Sequence, residues 1–124
     1  MSKLRKGSLV VAMGALAGLA LAVSAFGGPA RQAAASVTVT AGKPSEFRFI
    51  LSKKTVPKGA VTFKVSNKGT VEHDFKIAGK KTPKLTPGKS GTLKASFAKA
   101  GRYPYLCTLP SHAAAGMKGV LVVK

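Results

Sequence analysis

Cys107, His112 and Met117 follow one another at intervals of five residues in a chain of 124 that has no second cysteine and one further histidine, His73. A thiolate and a thioether are soft donors and imidazole is intermediate, so a site combining them with a second imidazole is the donor set of a mononuclear copper electron-transfer centre. Taken singly, each residue has a plainer reading: a buried cysteine or methionine filling apolar space, and a half-buried histidine with no ligand to hold. The set as a whole favours copper.

Spacing decides the local shape. Five residues of α-helix advance about 500°, which would point the three side chains roughly 140° apart. In a strand an odd interval puts Cys107 and His112 on opposite faces of the sheet. A folded loop is what turns them inward together, and Pro110 and Gly116 favour one. Tyr103 to Cys107 reads as a strand that delivers the thiol at its end, and Gly119 to Val123 as the strand that leaves the loop. His73 stands at the start of another strand, after a turn at Asn67 to Gly69.

The elements that must position these residues are short and alternating. Val37 to Thr40, Glu46 to Ile50, Val61 to Val65, Asp74 to Ile77, Leu93 to Phe97 and Val120 to Val123 have the β-branched and aromatic composition of strands. Lys64, Lys76 and Lys94 fall on the outward beats of that alternation, which gives each strand one apolar and one charged face. Pro104 removes a ladder donor and so predicts an edge position for its strand. Turn residues separate the runs, and six or more strands at this spacing predict an all-β sandwich or barrel. No helix long enough to carry a function is evident.

Residues 1–25 have a basic start (Lys3, Arg5, Lys6), an apolar run from Leu9 to Val23 and small residues at Val23, Ser24 and Ala25, the pattern of a cleaved secretory signal. The run is shorter than the roughly 20 residues that span a bilayer, although an uncleaved segment would leave the protein membrane-anchored. Residues 26–35 read as a flexible spacer and residues 36–124 as one small domain. An exported protein with a single cysteine cannot form an internal disulfide, and metal ligation would protect the thiol in an oxidising compartment.

The formal net charge is +18, and without the three cations of the signal 18 Lys and Arg face three acids, Glu46, Glu72 and Asp74. Such a surface favours acidic partners, a redox protein or an anionic membrane among them. Export and the lack of any recognition motif argue against nucleic acid. From Tyr103 through Met117 there is neither Lys nor Arg, so the loop end is expected to be uncharged, with Leu109, Pro110 and Ala113 to Ala115 as an apolar docking patch beside His112.

The ordered pattern Tyr103-x-Tyr105-x-Cys107-x-x-Pro110-x-His112-x4-Met117-x-Gly119, with Glu72-His73-Asp74-Phe75 upstream, resembles the cupredoxins, the blue copper proteins, and most closely their rusticyanin-like and auracyanin-like members. The resemblance covers the whole stretch from Ser36 to Lys124. It implies an all-β Greek-key β-sandwich with the copper loop between the last two strands. One copper per domain would be held by His73, Cys107 and His112 in a near-trigonal plane, with Met117 as a weak axial ligand. Two positions depart from the family pattern: Ser111 stands where many members have glycine, and Asp74 where asparagine often follows the first histidine. Both bear on loop conformation and on the hydrogen bonds that tune a metal.

The function implied is a monomeric, exported, non-enzymatic carrier of single electrons between redox partners such as an acidic cytochrome or oxidase. A copper chaperone or storage protein on the same fold is the alternative, although Met1 and Met13 both lie in the signal and leave Met117 alone in the domain. A Cys-His hydrolase would need an activating His112 or His73 and an oxyanion loop that cannot be singled out. A zinc site would make no use of methionine.

Overall fold

The computed structural model describes residues 34–124. The signal expected at residues 1–25 and most of the expected spacer lie outside the described residues. Nine strands follow in order: β1 (Ala35–Ala41), β2 (Phe49–Leu51), β3 (Thr55–Val56), β4 (Gly59–Asn67), β5 (Lys76–Ile77), β6 (Lys80–Lys81), β7 (Ser90–Phe97), β8 (Gly101–Leu106) and β9 (Lys118–Val123). They form two sheets, β2-β1-β4-β7 and β3-β9-β8-β5-β6, packed as the Greek-key sandwich expected from the sequence. No helix occurs among the described residues.

Alternation is what selects the inward faces. Val37 and Val39 of β1, Val61, Phe63 and Val65 of β4, and Leu93, Ala95 and Phe97 of β7 are buried, and Ile77, Tyr105, Leu121 and Val123 meet them from the other sheet. Lys64, Lys76 and Lys94 point to solvent as the pattern requires. Phe75 sits at the centre, its ring centroid 5.3 Å from Phe63, 5.3 Å from Phe49 and 5.4 Å from Tyr105. Each such side chain contributes about 1.5–3 kcal/mol by leaving water, and the rings hold the two layers in register.

Three local expectations change. The run from Glu46 to Ile50 is a strand only from Phe49, because Ser45 to Phe47 turn toward the loops at the end of the sandwich. Asp74 and Phe75 precede β5 rather than belong to it, and His73 instead makes an isolated antiparallel bridge with Leu85. Pro104 lies in an internal strand, between β9 and β5, not at an edge. β5 is only two residues long, so its pairing with β8 stops at Tyr105 and leaves Pro104 beside a break in the ladder.

One pairing places the site. β1 and β4 run parallel in register from Ala35 opposite Val61 to Ala41 opposite Asn67, so the chain leaves both strands at the same end. The loops 42–48 and 68–73 therefore lie side by side, tied by the Lys68 N–H donating to the Ala41 carbonyl at 2.8 Å. β8 also ends there, at Leu106, and β9 begins there.

Candidate metal centre

Buried Asn67 shapes the loop that carries His73. Its amide nitrogen donates to the carbonyls of Val71 (2.8 Å) and Leu85 (2.7 Å), and its amide oxygen accepts from the Gly69 N–H at 2.8 Å. His73 is then clamped by two backbone bonds to Leu85, 3.1 and 2.8 Å, and is fully buried. The backbone of His73 is thus fixed at both of its polar groups, which leaves only its side-chain torsions to be set.

Cys107 follows directly on β8, and its N–H donates to the Met117 carbonyl at 3.1 Å, closing the 107–117 loop at its base. Within the loop, successive turns are held by His112 N–H to Leu109, Ala115 N–H to Ser111 and Met117 N–H to His112, all between 3.0 and 3.1 Å. The chain reverses through Ser111, whose φ of 69° is left-handed. That φ accounts for the glycine of the family pattern, which adopts it without strain, whereas serine does so at a cost.

The loop brings three donors together. His112 Nδ1 lies 3.3 Å from His73 Nδ1 and 3.4 Å from Cys107 Sγ. With metal–nitrogen and metal–sulfur lengths of about 2.0 and 2.3 Å, as for divalent zinc, ligands around one ion are separated by about 3.3–3.7 Å. The donor triangle therefore has the size that one first-row ion spans, and the imidazole–thiolate set fits copper. Met117 is buried in the same cluster as Cys107 and Ala41, with Phe47, Phe49 and Leu109 packed on it. All four residues singled out in the sequence thus lie at one end of the sandwich, three of them with donor atoms converged.

The protonation preferences of the metal-free protein do not suit a nucleophile. Burial pushes the Cys107 thiol up, against the lowering effect of the Asp74 and Leu109 N–H groups, with the Asp74 charge adding to the rise. A hydrolytic thiolate needs the opposite shift. His112 is pushed down by burial and by the neighbouring His73, partly opposed by Glu46 and Asp74, which keeps its imidazole neutral and able to ligate.

Asp74 is buried and serves the ligand loop. Its Oδ1 accepts from the Thr108 N–H at 2.6 Å, its Oδ2 accepts from the Thr108 hydroxyl, and its own N–H points at Cys107 Sγ from 3.5 Å. Glu72 is exposed.

The residue that the sequence reading missed is Glu46. Its Oε2 lies 2.6 Å from His73 Nε2, on the side of the ring away from the donor triangle. The carboxylate also accepts from the Thr70 N–H, the Thr70 hydroxyl and the Val71 N–H. Partial burial raises this carboxyl, but the bonds from Thr70, His73 and Val71 outweigh it and hold it at about 2. Phe47, next in sequence, lays its ring 4.9 Å from that of His112 and 6.5 Å from that of His73. The loop end is also less free of charge than its own sequence suggests, because the Arg48 guanidinium approaches Gly116, with Nε 3.6 Å from where a Cβ would stand.

Residues 9–123 match the family model of the cupredoxin-like domain. The "copper-resistant cuproprotein CopI" of Rubrivivax gelatinosus is 29% identical over 121 residues, covering 80% of this chain and 73% of that protein. Among solved structures, auracyanin A, a "blue" copper protein of Chloroflexus aurantiacus, aligns with a TM-score of 0.65 and 22% identity over 74% of this chain and all of that one. Rusticyanin from Thiobacillus ferrooxidans aligns at 0.61 and 24%, over 76% and 79% of the two chains. These two structures bear on the fold. Copper is the metal of the family, and the His73, Cys107 and His112 cluster fits a type 1 copper site. The chain belongs to the cupredoxin-like domain family.

Proposed function

We propose that this protein is an exported carrier of single electrons, in which His73, Cys107 and His112, with Met117 beside them, would hold one copper. The observation that carries the reading is the convergence of two Nδ1 atoms and one Sγ, 3.3 and 3.4 Å apart, on a rigid framework. Bound copper supplies a one-electron Cu(II)/Cu(I) couple, and donors already held in place need little rearrangement between the two states.

The chain's own residues divide the work. His73 and Cys107 are buried, while His112 keeps partial exposure on a loop that also carries Leu109, Pro110 and Ala113. That makes His112 the route by which an electron enters or leaves. The surrounding small and apolar residues allow a partner to approach closely, and the exposed lysines steer an acidic cytochrome or oxidase, or an anionic membrane surface, from further away. Transfer of an electron breaks no substrate bond, so the reading assigns no enzymatic turnover. Export follows from the signal pattern of residues 1–25.

A second reading, copper sequestration or delivery, is favoured by the name of the Rubrivivax gelatinosus relative, a copper-resistant cuproprotein. The test separates the two. Reconstituted with Cu(II), the domain should show an intense visible thiolate-to-copper band that Cys107→Ser abolishes, and it should exchange electrons rapidly with a soluble cytochrome. Slow exchange combined with rapid loss of copper to an acceptor protein would favour delivery, and a band that survives Cys107→Ser would refute both.

A further inference from the structure

We infer that Glu46 is a positioning residue for the metal centre: its carboxylate holds His73 in the Nε2–H tautomer, leaves Nδ1 free as the donor, and biases the site toward the oxidised ion. The inference rests on the copper-site reading given above and adds a residue that lies 27 positions before His73 and outside the ligand set.

The geometry is that of a built contact. His73 Nε2 is 2.6 Å from Glu46 Oε2, so the ring N–H donates there and the lone pair of Nδ1 faces His112 and Cys107. The carboxylate is itself held by the Thr70 N–H at 2.9 Å, the Thr70 hydroxyl at 2.8 Å and the Val71 N–H at 3.3 Å. It therefore cannot swing away without releasing several partners at once. Ligating histidines are oriented in this way by an acceptor on the ring's other nitrogen, and losing such an acceptor typically costs 10–100-fold in metal affinity.

The surrounding backbone is shaped to admit this carboxylate. A Cβ on Gly69 would overlap Glu46 Oε2 and stand 2.9 Å from its Cδ and 3.0 Å from His73 Nε2. A Cβ on Gly42 would lie 2.5 Å from the Gly69 Cα. Two loops that follow parallel strands thus touch through glycines, and the side chain filling the gap between them is the acid. Among the described residues this is also the one pairing of a carboxylate with a basic side chain within 4.0 Å, in a chain crowded with lysines.

The consequence for the ion is electrostatic. A negative charge across the ring stabilises the more positive state, so Glu46 lowers the reduction potential relative to a neutral acceptor in its place. Removing the charge while keeping the shape should change the ratio of Cu(II) to Cu(I) affinity by about tenfold, or about 59 mV for one electron.

The experiment has a metal-free and a metal-loaded arm. In metal-free wild type, long-range nitrogen–proton NMR of His73 at neutral pH should report Nε2 protonated and Nδ1 bare; the opposite tautomer overturns the inference. In the copper-loaded protein, Glu46→Gln should keep the visible band and raise the potential by about the stated shift, whereas Glu46→Ala should also weaken Cu(II) binding 10–100-fold. Unchanged potential and affinity in both variants would overturn it. Should Glu46→Ala not fold, Glu46→Gln and the wild-type tautomer still decide. Failure of wild type to form a thiolate–copper band would refute the copper-site reading itself, while the tautomer would still show whether Glu46 orients His73.

Discussion

Replacing Gly69 with alanine should unseat Glu46 and crowd the outer nitrogen of His73. The added Cβ would overlap Glu46 Oε2 and stand 2.9 Å from its Cδ and 3.0 Å from His73 Nε2, and these nearest atoms all belong to side chains, of which the acid is the flexible one. Retreat abandons the bonds from Thr70, Val71 and His73. Hydrogen bonds to a charged group are each worth about 1.5–3 kcal/mol net. Glu46 keeps 24% exposure, so water replaces part of that loss, and the net cost is about 2–3 kcal/mol. In a domain of this size that lowers the melting temperature by about 10–20 °C, measured on the metal-free protein by circular dichroism. The decisive comparison is the double-mutant cycle: with Glu46→Ala already present, Gly69→Ala should cost less than about 1 kcal/mol, because the overlapping carboxylate is gone. Equal costs in the two backgrounds, or a Gly69→Ala melt within about 0.5 kcal/mol of wild type, would refute the reasoning.

Other consequences are open to the same kind of measurement. Asp74→Ala removes the acceptor of the Thr108 N–H and hydroxyl and should cost about 1–3 kcal/mol in urea unfolding, most of it recovered by Asp74→Asn. Ser111→Gly relieves a left-handed φ of 69° and should stabilise the domain by about 0.5–1 kcal/mol after the greater freedom of unfolded glycine is counted; destabilisation would show that the serine hydroxyl has a role of its own. Burial raises the Tyr105 phenol above its ordinary 10.0, so the folded state retains a proton that the unfolded chain releases. The resulting stability is constant below pH 10 and falls as pH rises beyond it, and Tyr105→Phe should flatten that fall in unfolding midpoints taken from pH 8 to about 11.5.

Where a residue's role depends on local pattern, the chain was legible. The alternation in Val61 to Val65, Leu93 to Phe97 and Val120 to Val123 placed β4, β7 and β9, because a period of two has one inward face and the lysines mark the other. The spacing of Cys107, His112 and Met117 demanded a loop, and the loop is present. What escaped depends on distance. Glu46 sits in a stretch that alternates like a strand, and its partner is 27 residues away, across a gap that exists because β1 and β4 happen to end together. Strands β3 and β6 have two residues each, too few to show a period. Proline lacks a donor, so Pro104 predicts an edge position, yet a neighbouring strand that stops short serves equally well.

An electron paramagnetic resonance spectrum of the copper-loaded domain tests most directly whether His73, Cys107 and His112 hold one ion through the thiolate. A small copper hyperfine splitting, lost in Cys107→Ser and accompanied by one copper per chain, is the expected result. A large splitting of the ordinary tetragonal kind in wild type, indifferent to Cys107, would contradict the assignment.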